Sequence, residues 1–329
     1  MKKILNAPSD VVEEMMNGMA EAHKDLVHRV GNTRVIARNY AGKGKVGIIS
    51  GGGSGHEPTH AGYVGKGMLS AAIFGDVFTS PTPDQVYEAI KAADQGAGVF
   101  MVVKNYTGDV LNFEMAKDLA EADGIDVAYT VTSDDVSGGE STYSDGRRGV
   151  AGTLFMHKIL GYHAEHGATL KDLKEIAEAI NPNLATIGLA LSPATVPEQG
   201  TPGFTLKDDE IELGIGIHGE PGFEKASMMT SKKIAAVFYD KLNAHLKLTG
   251  EEELVVMVNG MGATPLMEQY VFVKDVFDLL KDKGITVAKS YVGDYMTSIE
   301  MAGLSLTFFK LDDARWLDAL NAPVETIAW

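Results

Sequence analysis

The stretch from Val46 to Pro58, VGIISGGGSGHEP, constrains this chain more than any other. Val46 to Ile49 reads as a buried strand. It breaks into a loop of Gly51, Gly52, Gly53, Ser54 and Gly55, closed by His56 and Glu57. Four glycines in five positions admit dihedrals closed to other residues and let a ligand approach bare N–H groups. The same grammar continues downstream. Ala71–Phe74, Val99–Val103 and Asp126–Val131 read as strands, and Pro83–Ala93 and Leu111–Ala122 as helices. Strand, loop, helix and strand in repetition predict an α/β domain with a largely parallel sheet. In such sheets ligands bind outside the carboxyl ends of the strands. The Gly51–His56 loop and the Lys104–Asp109 loop both fall there.

The remaining segments extend this pattern. Ser9 is the expected cap of an N-terminal helix through Val12, Met15, Met16 and Met19, and Arg34–Arg38 is a short strand. Val150–Glu165 and Leu170–Ile180 read as helices and Leu184–Leu191 as a strand. A breaker-rich loop follows, and the domain change is expected between Asn181 and Pro202. In the second half Ile211–Ile217, Leu254–Asn259, a segment near Val287 and Leu304–Leu311 read as strands. Lys232–Leu246 and Pro265–Asp282 read as helices. The prediction is two α/β domains, residues 1–182 and 183–329. Each is a largely parallel or mixed sheet flanked by helices, with its own core and the site at their junction.

Charge and composition narrow the partners. A net charge of −16 over 329 residues argues against nucleic acid and against an anionic membrane surface. The absence of cysteine excludes disulfides and thiolate chemistry and fits a reducing cytoplasm. No window approaches the ~18 apolar residues of a spanning helix, and MKKILNAPSD lacks a signal-peptide core. A soluble cytoplasmic protein is expected.

The glycine loop lacks the features of a nucleotide site. A P-loop closes on Gly-Lys-Ser/Thr, whereas Gly55 is followed by His56 and Glu57. The dinucleotide fingerprint lacks its third glycine. A small uncharged polar ligand, held by loop N–H groups and His56, fits better. His218, read as closing the strand Ile211–Ile217, is open to roles as base, metal ligand, nucleophile or packing residue. No metal-binding spacing supports the second. Asp109 is either a helix cap or, with Lys104, a hydrogen-bonding partner for a polyol or a base and its orienter. Lys104 at a strand end is expected to reach solvent. Asp134-Asp135 reads as a solvated loop and Arg147-Arg148 as a surface pair. Of the remaining histidines, only His60 is near enough to His56 to support it.

Seven segments carry a resemblance over essentially the whole chain. They are GGGSGHEP (Gly51–Pro58), GDVFTSPTPDQ (Gly75–Gln85), KNYTGDVLNFE (Lys104–Glu114), GRRGVAGT (Gly146–Thr153), GIGIHGEPG (Gly214–Gly222), NGMGATPL (Asn259–Leu266) and VGDYMTSIEMAG (Val292–Gly303). In these the chain resembles the dihydroxyacetone-binding subunits of dihydroxyacetone kinases. The resemblance implies a covalent hemiaminal between His218 and the ketone carbon, with His56 hydrogen-bonding the substrate and assisting as acid or base. It implies Asp109 as the base for the hydroxyl that attacks phosphorus. Gly53 and Lys104 match further substrate contacts, and Ser54 and Gly55 lie in the same binding segment. It also implies no metal or cofactor on this chain. ADP and magnesium would reside on a helical partner, subunit L, recharged from phosphoenolpyruvate through a phosphotransferase-system protein, subunit M. A homodimer is implied as well. The chain ends at Trp329 without a nucleotide domain, as a separate substrate subunit would. The alternative is a non-enzymatic relative that senses the same ketone and coactivates a transcription regulator. A carbonyl lyase or isomerase has no supporting motif.

Overall fold

The computed structural model describes residues 2–138 and 146–329. The first half runs α1 (Val11–Ala22), β1 (Val27–Arg29), β2 (Val35–Arg38), β3 (Gly47–Ser54), β4 (Ala71–Val77), α2 (Pro83–Ala93), β5 (Val99–Lys104), α3 (Thr107–Ala122), β6 (Val127–Thr132), α4 (Thr153–Glu165) and α5 (Leu170–Ile180). The second half runs β7 (Leu184–Ala190), β8 (Glu210–Leu213), β9 (Glu224–Ser227), α6 (Ser231–Leu246), β10 (Glu253–Gly260), α7 (Leu266–Asp282), β11 (Thr286–Gly293), β12 (Gly303–Lys310) and α8 (Ala314–Asn321).

The first sheet has the order β1-β2-β4-β3-β5-β6, with β4, β3, β5 and β6 mutually parallel and β1 and β2 antiparallel. From β3 the chain passes to β4 on one side, and from β5 to β6 on the other. The boundary between β3 and β5 is therefore a topological switch point, where open α/β sheets form ligand crevices. The second sheet, β11-β10-β12-β7-β8-β9, is mixed: β10 and β11 are parallel and every other pair is antiparallel.

Each half keeps a core of its own, as expected, and a further core is shared between them. Along β10, Val255 and Met257 face a core that includes Ile48 of β3 and Phe155 of α4, while Leu254, Val256 and Val258 face α6 and α7. Phe155 stacks on Phe309 of β12 at 5.5 Å. Burial on both faces explains why these strands read as unbroken apolar runs. Each large side chain so buried contributes roughly 1.5–3 kcal/mol.

Several local expectations are corrected. Ser9 does not cap α1: Pro8–Asp10 form a 3-10 turn, and Ser9 Oγ donates to Asp10 Oδ1 at 2.9 Å. The glycine segment is part of β3 rather than a loop, because its backbone continues the ladder with β4. Helix α3 starts at Thr107, so Asp109 lies in its first turn rather than before it. Strand β8 ends at Leu213, which leaves His218 on a loop rather than at a strand end. Strands β1 and β9 and helix α8 carried no readable signal. The two strands are short and polar, and α8 buries only Trp316, Ala319 and Leu320.

Candidate active site

Strand β3 pairs with β5 only as far as Ser50 opposite Val102, while it stays paired with β4 to Ser54. One edge of Gly51–Ser54 is thus released at the switch point, and the glycines suit that edge. A Cβ on Gly52 would lie 2.2 Å from Lys104 Nζ, and one on Gly53 would lie 2.6 Å from the Thr79 backbone nitrogen. Gly55, at φ 102, makes the turn into His56. Its N–H donates to both carboxylate oxygens of Glu57, each at 3.1 Å. That N–H is therefore satisfied by the chain's own carboxylate. Ser54 Oγ donates to Gly75 O at 2.7 Å and is likewise satisfied internally.

Lys104 does not reach solvent, contrary to expectation. It is 1% exposed, and its Nζ donates to Gly51 O at 3.2 Å and to Asp109 Oδ2 and His60 Nε2 at 3.3 Å each. Asp109 is equally buried, and its place in the first turn of α3 sets its carboxylate at the positive end of the helix.

His56 is fully buried. Its ring stacks on Phe78 at 5.1 Å and meets the His218 ring edge-on at 4.8 Å. Nδ1 lies 2.8 Å from Thr297 O, and a carbonyl only accepts, so Nδ1 carries the proton. Burial, with the neighbouring charges of His218 and Lys104, pushes the ring well below the ordinary histidine range. His56 is therefore neutral, with an Nε2 lone pair that has no partner in the protein.

His218 keeps 19% of its side chain exposed and is ringed by Phe78 at 5.3 Å and Tyr106 at 4.7 Å. Its Nδ1 is 2.7 Å from Glu220 Oε1, and its backbone N–H donates to Glu220 Oε2 at 2.9 Å. Burial pushes the Glu220 carboxyl up, but His218 and Arg148 prevail and hold it at about 2. The carboxylate thus holds the proton on Nδ1, so that a neutral His218 ring has its lone pair on Nε2.

The structure brings His56, Lys104, Asp109 and His218 into one crevice that draws on both halves of the chain. Gly53 lines the same strand edge, against Phe78 and Thr79. Sequence reasoning missed four groups. Glu220 was visible only as part of the IHGEPG segment. His157 stands behind Lys104 together with His60, which the sequence marked only as support for His56; both are buried. Arg148 was expected at the surface, and Asp134-Asp135 in a solvated loop; all three are buried. Arg148 donates to Asp135 Oδ2 at 2.7 Å, and to Ser137 Oγ and Gly214 O at 2.9 Å each. Asp134 accepts from the Val150 and Gly152 N–H groups and from Thr186 Oγ1. A local reading cannot see such partners, because they come from distant segments. Among the described residues no cluster of three or more His, Asp or Glu is placed to hold a metal ion. None of the described helices is long and apolar enough to cross a membrane.

Known proteins share this chain's sequence pattern and fold. Residues 17–328 match the Dak1 domain. The chain is 63% identical to the dihydroxyacetone-binding subunit DhaK of PTS-dependent dihydroxyacetone kinase 1 from Listeria innocua, over the full length of both. It is 40% identical to the DhaKLM operon coactivator DhaQ of Lactococcus lactis, covering 99% of this chain and 100% of that one. The crystal structure of the dihydroxyacetone kinase of C. freundii superposes with a TM-score of 0.91 at 34% identity, over 100% of this chain and 60% of that one. The chain belongs to the Dak1 domain family and, within it, to the DhaK family of dihydroxyacetone-kinase subunits.

Proposed function

We propose that this chain is the substrate-binding, catalytic subunit of a PTS-dependent dihydroxyacetone kinase. The observation that carries the reading is the His218 ring, oriented by Glu220 at 2.7 Å and facing His56 across 4.8 Å. Nε2 of His218 attacks the ketone carbon of dihydroxyacetone. The C=O π pair moves onto oxygen, which takes a proton from solvent. The resulting imidazolium is held by the Glu220 carboxylate, and the new hydroxyl donates to Nε2 of His56. Glycerol has no carbonyl and cannot form this bond, which gives a selectivity that hydroxyl contacts alone do not. The bond also fixes the direction of the terminal hydroxyl. Asp109 accepts that hydroxyl's proton as its oxygen attacks phosphorus, and Lys104 holds the carboxylate in place. Transfer then rests on positioning and charge more than on further covalent chemistry.

Residues 1–182 supply His56, Lys104 and Asp109 in this reading, and residues 183–329 supply His218. The phosphoryl group comes from a helical subunit L that carries ADP and magnesium, recharged from phosphoenolpyruvate through subunit M. The chain works as a cytoplasmic homodimer. The test is an assay with the ADP-loaded partner and a phosphoryl donor, with dihydroxyacetone phosphate as the expected product. A correctly assembled complex that binds the ketone but forms no sugar phosphate would instead favour a sensor. A coactivator at 40% identity makes that a concrete rival. The intact His56, Lys104, Asp109 and His218 set supports the enzyme.

A further inference from the structure

Lys104 uses its three ammonium hydrogens inside the protein, on Gly51 O, Asp109 Oδ2 and His60 Nε2. The third partner is the unusual one. An ammonium only donates, so His60 Nε2 is an unprotonated acceptor and its proton sits on Nδ1. That proton is donated to His157 Nε2 at 2.9 Å, which leaves the His157 proton on Nδ1. One tautomer thus runs through a buried line from Asp109 to Lys104, His60 and His157, with no member more than 4% exposed. Such a line holds only while both rings stay neutral. Burial and the Lys104 charge keep His60 well below the ordinary range and His157 at about 3. The titratable groups facing Lys104 are Asp109, His60, His56, His157 and Tyr106.

We infer that His60, supported by His157, is a positioning residue that fixes the Lys104 ammonium and through it the Asp109 carboxylate. The inference rests on the reading of Asp109 as the base. Lys104 then acts as a clamp for Asp109.

The test uses this chain assembled with its phosphoryl-delivering partner, and compares His60→Leu, His60→Gln, His60→Asn and Asp109→Asn. Glutamine keeps an acceptor where Nε2 stood, and asparagine does not reach it. For His60→Leu we expect a kcat loss on the order of a hundredfold with KM and the His218 adduct little changed. His60→Gln should recover most of the rate and His60→Asn should not. Wild-type kcat in His60→Leu, beside an inactive Asp109→Asn, would overturn this inference alone. Full turnover in Asp109→Asn would instead remove the Asp109 reading on which it rests. If the leucine variant fails to fold, equal kcat in the glutamine and asparagine variants overturns the inference.

Discussion

At the scale of single residues, the account turns on which nitrogen of each histidine holds its proton. Thr297 fixes Nδ1–H of His56, and Glu220 fixes Nδ1–H of His218. In the proposed function each ring therefore offers Nε2 to the substrate, one as acceptor and one as nucleophile. His218→Ala should abolish the covalent adduct, read by intact mass after incubation with dihydroxyacetone; an adduct that survives would remove His218 from the reading. Glu220→Gln keeps the shape but loses the charge that holds the imidazolium, and adduct formation should slow by about tenfold to a hundredfold. The same residue has a signature in stability. Its carboxyl drops from 4.5 unfolded to about 2 in the fold, so its contribution is full above pH 4.5. That contribution is lost as pH falls through about 2. Denaturant unfolding across this range should show the advantage of wild type over Glu220→Gln shrinking toward acid. A constant gap would contradict the assignment.

At the scale of elements, the glycine strand separates two effects that a glycine-rich segment usually mixes. Gly53 has backbone at 2.6 Å from a would-be Cβ, whereas Gly52 faces the tip of Lys104 at 2.2 Å. Gly53→Ala should therefore cost roughly 1–3 kcal/mol of stability, seen as a lower melting temperature. Gly52→Ala should lose turnover even under conditions where it stays folded, because the methyl displaces the buried Lys104 from Asp109. A folded Gly52→Ala protein with wild-type turnover would refute the proposed packing. The sequence was legible where signals are local. The bounds of α2 and α5 follow from Pro83 and from the Thr169–Asp172 capping box. Gly51–Ser54 were read as loop because glycines punctuate chains. Here they continue a strand whose free edge must admit a lysine, and that constraint comes from a residue half a domain away.

At the scale of the molecule, two seams hold the halves together and build the crevice. One is backbone: Thr297 N donates to His56 O at 3.2 Å and Ile299 N to Gly55 O at 2.7 Å, which ties the β11–β12 connection to the glycine strand. The other is Arg148, which joins Asp135 and Ser137 to Gly214 ahead of the His218 loop. Arg148→Met leaves a buried carboxylate without its partner and should cost about 3–5 kcal/mol, measured by denaturant unfolding. Adding Asp135→Asn should recover part of that loss; no recovery would mean that the pair is not the source of the cost. Asp134, Asp135 and Arg148 were taken for surface residues because charge is the only local signal they give. Their burial is set by partners distant in sequence, of which Thr186 and Gly214 come from the other half of the chain. The two sheets and most of their strands were readable from apolar periodicity, whereas the shared core was not, since it depends on how the sheets face one another. The central claim is that both halves meet around a histidine that bonds the ketone. A crystal structure of the protein soaked with dihydroxyacetone tests it most directly. We predict continuous density from Nε2 of His218 to the ketone carbon, with a terminal hydroxyl against Asp109. A ketone lying unbonded, or bonded to any other residue, would contradict it.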